Sequence, residues 1–385
     1  MSREIVKTEK WWIHYSDGSK ALDVECSQSA YTLGFSNHEI IDAMAEQLKS
    51  VSRVIPYWDE SHPEIEKLRQ SVYGSGNDNW RAMKFMTSGT SAVEAAIAAH
   101  DEYWAKEDPR KTKILSYTPV WHGTTYITRG LNNLKQNVLN SSRILNVDTP
   151  NWLKYEDRDL EEERALADTE EYFKQGDVGG VIFNPVAWFN GVMPFSKNWW
   201  HRLRELCDKY DVLMILDDIT ACWGKVGTWQ SFTGIGDGVK PDISALGKSI
   251  AAGHAPFGLT VWNEKVFSRV PMFMYGHAWN PSMGAVAAMN KTTDIIKRDN
   301  LLEHSNTVER KNIEMCQRLG DRIAGYRSVG CFLAIDFHED IPHEKYMSGG
   351  LSTKYRPYVL KLTSPLIADD SYHAALEEKI ENILI

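Results

Sequence analysis

One lysine stands in the most apolar loop of this chain. In PDISALGKSIAAGHAPFGLTVW (241–262), Lys248 is the single charged residue between Asp242 and Glu264, among Ile, Ala, Leu, Gly, Ser, Pro, Phe and Val. A lysine ordinarily keeps its ammonium in water and is rarely buried unpaired. Desolvation lowers its pKa from about 10.4, which makes the neutral amine available as a nucleophile and Schiff-base former. The plain alternative is a side chain that snorkels out of its loop.

Three further features could do chemistry. Asp217 ends the apolar run VLMIL, and a carboxylate there needs a cation or several donors. A protonated pyridine nitrogen would serve, as would loop amides or an arginine. Ser88, Gly89 and Thr90 in TSGTSAVEAA stand where a strand turns into a helix, a ready anion or phosphate site. Ser91 and Glu94 also fit a capping box, which needs no ligand. Trp121, in WHG (121–123), could cover a flat cofactor ring or sit in the core, as one of 14 tryptophans can. No Gly-rich dinucleotide fingerprint, Walker loop or HExxH spacing occurs.

These residues fall between elements of an α/β pattern. RAMKF (81–85), KILSY (113–117), GGVIFNP (179–185), DVLMILDD (211–218), DISAL (242–246) and FGLTVW (257–262) read as strands, and NWWHRLRELCDKYD (198–211) as a covering helix. The acidic segment 154–175 reads as a solvated loop and helix. A charged helical stretch (291–322) then leads to CFLAIDF (331–337), VLKLTSP (359–365) and a terminal helix. The expected domains are an N-terminal segment (1–50), a large domain (51–290) and a smaller C-terminal domain (291–385).

The totals bound the class. The chain has 385 residues, 43% hydrophobic and 25% charged, with 52 acidic and 43 basic side chains and a net charge of −9. That balance argues against a nucleic-acid binder driven by phosphate contacts. Five scattered cysteines without CxxC spacing read as reduced thiols. No secretory signal is visible and the apolar runs are too short to span a bilayer, so a soluble cytoplasmic protein is expected.

Taken in order, the features resemble the class III, fold-type I aminotransferases, which depend on pyridoxal 5'-phosphate. The resemblance covers nearly the whole chain. LDVECSQSAYTLGFSNHEIIDAMAEQL (22–48) is similar to the family's N-terminal segment, and TSGTSAVEAAIAAH to its phosphate-binding turn. WHG stands at its YHG, which places Trp121 and His122 at the cofactor. LDDITACWGKVG puts Asp217 at the pyridine-nitrogen position, and PDISALGKSIAAGHAPFG puts Lys248 at the Schiff-base lysine. The resemblance implies a large domain with a mixed, mostly parallel sheet flanked by helices, plus a smaller α+β domain. It also implies a homodimer with active sites at the interface, and a Lys248 amine that moves the proton between substrate and cofactor.

The departures bear on the specific reaction. NPVAWFNG replaces the family's EPVqg, so Asn184 stands for a glutamate; Ala187 stands for a frequent glutamine, and a glutamate-semialdehyde aminomutase subgroup also carries alanine at that second position. Gly276, with Tyr275 and His277 beside it, occupies the slot of a threonine that binds the neighbouring subunit's phosphate. His277 is therefore a candidate cofactor ligand. Lys361 stands at one position for a carboxylate-binding arginine, and Arg356 at that of a different subgroup. Arg356 is the leading substrate anchor, because a bidentate guanidinium suits a carboxylate better than a point charge. Trp58, with Trp11, Trp12 and Tyr31, falls in a region that contacts substrate in relatives, or else in the core or dimer interface. The expected reaction moves an amino group between an amine or amino acid and a keto acid or aldehyde. An aminomutase, a decarboxylase or lyase on the same fold, and a non-catalytic relative are the alternatives.

Overall fold

The computed structural model describes residues 3–55, 60–132, 142–151, 157–188, 191–276, 278–354 and 356–385. Its N-terminal strands are β1 (Ile5–Glu9), β2 (Trp12–Tyr15) and β3 (Lys20–Asp23), paired antiparallel in that order. The central strands are β4 (Ala82–Met86), β5 (Lys113–Thr118), β6 (Ile144–Asp148) and β7 (Val178–Phe183). A short hairpin, β8 (Val186–Ala187) with β9 (Met193–Pro194), precedes β10 (Leu213–Asp217), β11 (Ile243–Gly247) and β12 (Gly258–Trp262). The C-terminal strands are β13 (Gly325–Val329), β14 (Phe332–Asp336), β15 (Leu351–Ser352) and β16 (Val359–Thr363).

Seven strands form the main sheet in the order β4-β12-β11-β10-β7-β5-β6. All run parallel except β12, which pairs antiparallel with both β11 and β4. Strands covered on both faces read as continuous apolar runs, and every residue of β7, β10, β11 and β12 is buried. The six expected strands are all present, with ends moved by one or two residues. The expected covering helix is Lys197–Tyr210, capped by the Ser196 side chain, which accepts from Trp199 N–H. Phe195, Trp199 and Trp200 of this segment wedge against Phe183 on the sheet.

Two expectations need correction. The acidic segment forms the helix Arg158–Phe173, yet Glu161 and Glu162 are buried. Glu162 takes hydrogen bonds from Arg158 and from Ser196 N–H, so part of this face is ion-paired packing and not solvated surface. The stretch 291–322 is two helices, Met283–Arg298 and Leu301–Leu319, broken where Asn300 adopts a left-handed φ of 51°. Asparagine tolerates that conformation, and a straight helix does not contain it. The first of these helices starts before residue 291 and is buried for most of its length against the helices His38–Ser50 and Pro63–Ser75.

The N-terminal sheet also gains a strand from the far end of the chain. β15 pairs parallel with β3, matching Leu351 to Leu22 and Ser352 to Asp23. A separate antiparallel sheet, β13-β14-β16, carries Lys361 on its last strand.

Candidate active site

Parallel strands deliver their following loops to one edge of a sheet, where open α/β folds bind ligands. Here the C-terminal ends of β4, β5, β7, β10 and β11 lead to Ser88, to Trp121 and His122, to Asn184, to Asp217 and to Lys248 respectively. The sheet thus collects residues scattered over 161 positions of sequence, as the 88-to-248 span counts inclusively.

Lys248 is the first residue past β11 and holds a left-handed backbone, with φ 46°. A non-glycine residue in that region is strained and needs its surroundings to hold it there. The lysine keeps partial solvent contact, but protein surrounds its ammonium closely enough that desolvation lowers its pKa from 10.5; the Asp217 charge opposes the shift. Its Nζ donates to Thr220 Oγ1 at 3.0 Å. The amine is therefore held against the turn after β10 and does not stand free in water.

Asp217 is 2% exposed and finds a partner that the sequence did not suggest for it: His122 Nδ1 lies 2.6 Å from its Oδ2. Its Oδ1 accepts from Ile219 N–H at 3.2 Å. His122 is itself buried, and its backbone N–H donates to Asn132 Oδ1. The adjoining Asp218 is fully buried, its pKa raised to about 7 by desolvation, and it accepts from Ser231 N–H. Asn184 turns from the carboxylate and donates to the Asp217 carbonyl at 3.3 Å.

Ser88 caps the helix Gly89–Glu107, accepting from Ser91 N–H at 3.0 Å, while Ser91 Oγ accepts from Ser88 N–H. The capping box is therefore Ser88 with Ser91, not Ser91 with Glu94. Glu94 instead accepts from Ile127 N–H. The helix start leaves the Gly89 and Thr90 amides without acidic side chains in the first turn, as an anion site needs. Gly123, at φ 125°, lets the WHG loop close on this turn: a Cβ there would stand 2.6 Å from the Thr90 side chain. Trp121 is 48% exposed, which removes the core alternative.

The expected substrate anchors each bond to another partner. Arg356 Nη1 donates to Glu25 Oε1 at 2.9 Å, and Glu25 accepts from Thr353 Oγ1 and Lys354 N–H as well. Lys361 is 2% exposed; its Nζ donates to the Trp188 carbonyl at 2.7 Å, and burial lowers its pKa to about 7. Trp11 packs edge-on against Tyr372 in the core, and Tyr31 packs on Phe35 and His254. Trp58 and His277 lie outside the described residues. Gly276 adopts φ 143°, beside Asn280 and Lys84, so its backbone favours glycine at that slot.

The model of the class-III aminotransferases matches residues 1–384. The chain belongs to that family. Among curated relatives, a β-alanine–pyruvate aminotransferase of Pseudomonas aeruginosa is 25% identical over 79% of this chain and 71% of its own length. A vanillin aminotransferase of Capsicum chinense is 26% identical over 86% and 77%. Among solved structures, an amine transaminase from an uncultivated Pseudomonas species, in its PLP-bound form, superposes with a TM-score of 0.91 at 22% identity, covering 100% of this chain and 95% of that one. The omega transaminase of Pseudomonas jessenii, in complex with PMP, gives 0.92 at 20% identity, covering 100% and 92%. The fold is that of the fold-type I transaminases, and the aminotransferase works with pyridoxal phosphate.

The donor set of the aminotransferase fits that cofactor. A helix N-terminus without acidic side chains in its first turn, a buried carboxylate and an amine of lowered proton affinity stand at the ends of β4, β10 and β11. Gly247 permits the close approach between them, since a Cβ there would lie 3.1 Å from Gly89 Cα. Among the described residues, no helix is long and apolar enough to cross a membrane.

Proposed function

We propose that Lys248 is the residue whose amine would hold the cofactor through its aldehyde carbon, the aldehyde oxygen leaving as water, and would later carry the proton released at the substrate carbon. What carries this reading is the placement of a desolvated lysine, held by Thr220, near a buried carboxylate that is oriented by His122 and the Ile219 amide. When bound, pyridoxal phosphate supplies an electron sink for the pair released at the substrate carbon. Asp217, which keeps unused lone pairs on both oxygens, holds the pyridine nitrogen protonated, and His122 fixes the orientation of that carboxylate. The Gly89 and Thr90 amides and the Thr90 hydroxyl take the phosphate, with Ser88 shaping the turn. Trp121 covers one face of the ring. His277 and Trp58 are further candidates for cofactor and substrate respectively.

The substrate class follows from charge. Arg356, with Lys361 behind it, makes a cationic pole, and Glu25 connects it to Lys248, whose charge it influences. A keto acid acceptor places its carboxylate at Arg356 by displacing Glu25, while an amine donor without a carboxylate leaves the Glu25–Arg356 pair closed. The relatives named for β-alanine with pyruvate and for putrescine with pyruvate are consistent with one site serving both kinds of partner.

The active form is a homodimer. Met272, Met274 and Trp279 are each at least three-quarters exposed in the single chain, which is apolar surface suited to a second copy. Sedimentation should give about twice 43.9 kDa.

The test is spectral and catalytic together. Purified protein with pyridoxal phosphate should show a visible band that requires Lys248 and bleaches with an amine donor alone. Product should then form only when a separate keto acid or aldehyde is added. Turnover of one substrate without an acceptor would transfer the reading to an aminomutase or lyase.

A further inference from the structure

We propose that Thr220 is a positioning residue for Lys248, whose hydroxyl holds the lysine nitrogen in place in both protonation states of the amine. This rests on the reading of Lys248 as the cofactor-linked amine. The two residues follow adjacent parallel strands, β10 and β11, and meet at 3.0 Å. Neither end of the contact is loose. The turn after β10 is fixed by Asp218 N–H donating to the Ala245 carbonyl at 3.0 Å and Cys222 N–H donating to the Asp218 carbonyl at 3.0 Å. The lysine is fixed by its left-handed backbone and by Ser249, which accepts from Thr32 Oγ1 at 2.8 Å.

The choice of a hydroxyl matters. An ammonium can only donate, whereas a neutral amine can also accept; a threonine hydroxyl has one donor and two lone pairs, so it answers either state. A carboxylate in its place could not donate to the neutral amine and would hold the proton on the lysine. The charged and titratable groups facing Lys248 are Asp217 at the end of β10, Cys222 and Lys225 on the loop that follows, and Glu25 from the N-terminal segment. Asp217 is turned to His122 and the Ile219 amide, and Glu25 to Arg356, the Thr353 hydroxyl and the Lys354 amide. Among the described residues, Thr220 is the hydrogen-bond partner left to the amine.

The experiment compares Thr220→Val, which removes the hydroxyl at nearly constant shape, with Thr220→Ser, which keeps it. The first readout is the pH dependence of the rate at which the full-length protein captures pyridoxal phosphate, followed by the visible band. Neutral amine is the attacking form, so the rate rises with pH through the lysine's titration. Removing an acceptor weakens the ammonium more than the amine, because bonds to charged groups are the stronger ones. In Thr220→Val the midpoint should move down by about one pH unit. The second readout is steady-state turnover, with kcat about 10-fold lower and donor KM within about twofold. Thr220→Ser should restore both. A Thr220→Val protein with wild-type midpoint and kcat overturns the proposal, as does a serine variant that fails to restore what valine removed. A Lys248→Ala protein that still acquires the band would overturn the lysine assignment itself, and Thr220 with it.

Discussion

His122 Nδ1 and Asp217 Oδ2 stand 2.6 Å apart, 95 residues distant in sequence, with neither side chain more than 2% exposed. The contact joins the loop after β5 to the last residue of β10, and it gives a buried carboxylate the polar partner that burial demands. Each residue therefore has a job for the other before any ligand arrives.

Asp217→Asn keeps the shape and removes the charge that would hold a protonated ring nitrogen. With pyridoxal phosphate saturating, kcat should fall by about 10²–10³-fold, as for loss of one well-placed electrostatic group. His122→Phe, which leaves the carboxylate but frees its orientation, should cost less than Asp217→Asn. Steady-state kinetics of the two variants, together with their circular dichroism, decide this; equal activity of wild type and Asp217→Asn would sink the assignment.

At Lys248, function and backbone ease should separate. Lys248→Ala and Lys248→Gly should both lose transamination and the visible band. In the absence of cofactor, however, the glycine variant should be more stable by about 1 kcal/mol, because φ 46° costs alanine what it does not cost glycine. Urea denaturation midpoints of the two proteins test the strain directly, and an alanine variant at least as stable as the glycine one would deny it.

Glu25 occupies Arg356 in the absence of a substrate carboxylate. Arg356→Leu should raise KM for a keto acid acceptor by about 10–100-fold while changing the KM of a monoamine donor little. Glu25→Gln should act oppositely, lowering keto acid KM severalfold, since the arginine then has no rival carboxylate. Identical KM shifts for acceptor and monoamine in Arg356→Leu would remove the arginine from the substrate pole.

Lys361 should tax the fold at neutral pH. Its pKa is lowered to about 7 by burial first and the Arg356 charge second, against about 10.4 in an unfolded chain. Between these values the unfolded state binds the extra proton, so this group's contribution to stability rises with pH from about 7 to about 10 and its cost is full below about 7. Lys361→Met should stabilise the protein by about 1–3 kcal/mol at pH 6.5, with the gain shrinking toward pH 10. Denaturant titrations at several pH values would show it, and a gain independent of pH would place its origin in packing.

The central sheet was legible because strands buried on both faces write unbroken apolar runs, and β7, β10, β11 and β12 do so. The N-terminal strands were not read. β1 is exposed at four of its five residues and so carries no apolar alternation, although the Asp17-Gly18 pair between β2 and β3 is a hairpin signal that was available. Of the site, Lys248 stood out through its setting, and Asp217 through its place at a strand end. The His122 contact did not, because nothing in a histidine beside a tryptophan states which strand end it will face. The pairing of Arg356 with Glu25 was hidden for the same reason, as was the seat of Lys361 on the Trp188 carbonyl. Helix capping misled by one turn: Ser88 and Ser91 share the box, and the expected Ser91–Glu94 pair is used elsewhere.

The pairing of β15 with β3 has a consequence in time. Leu351 closes on Leu22, and Arg356 closes on Glu25 across 331 residues, so the Arg356–Glu25 pair waits for a segment made long after β3. A ribosome releasing this protein from its N-terminus can complete the sheet that bears Lys248 well before it supplies Arg356. The nascent chain thus has the Lys248 amine in place before the guanidinium that answers Glu25. The strand β15, just before Arg356, is what ties the two ends of the sequence into one sheet.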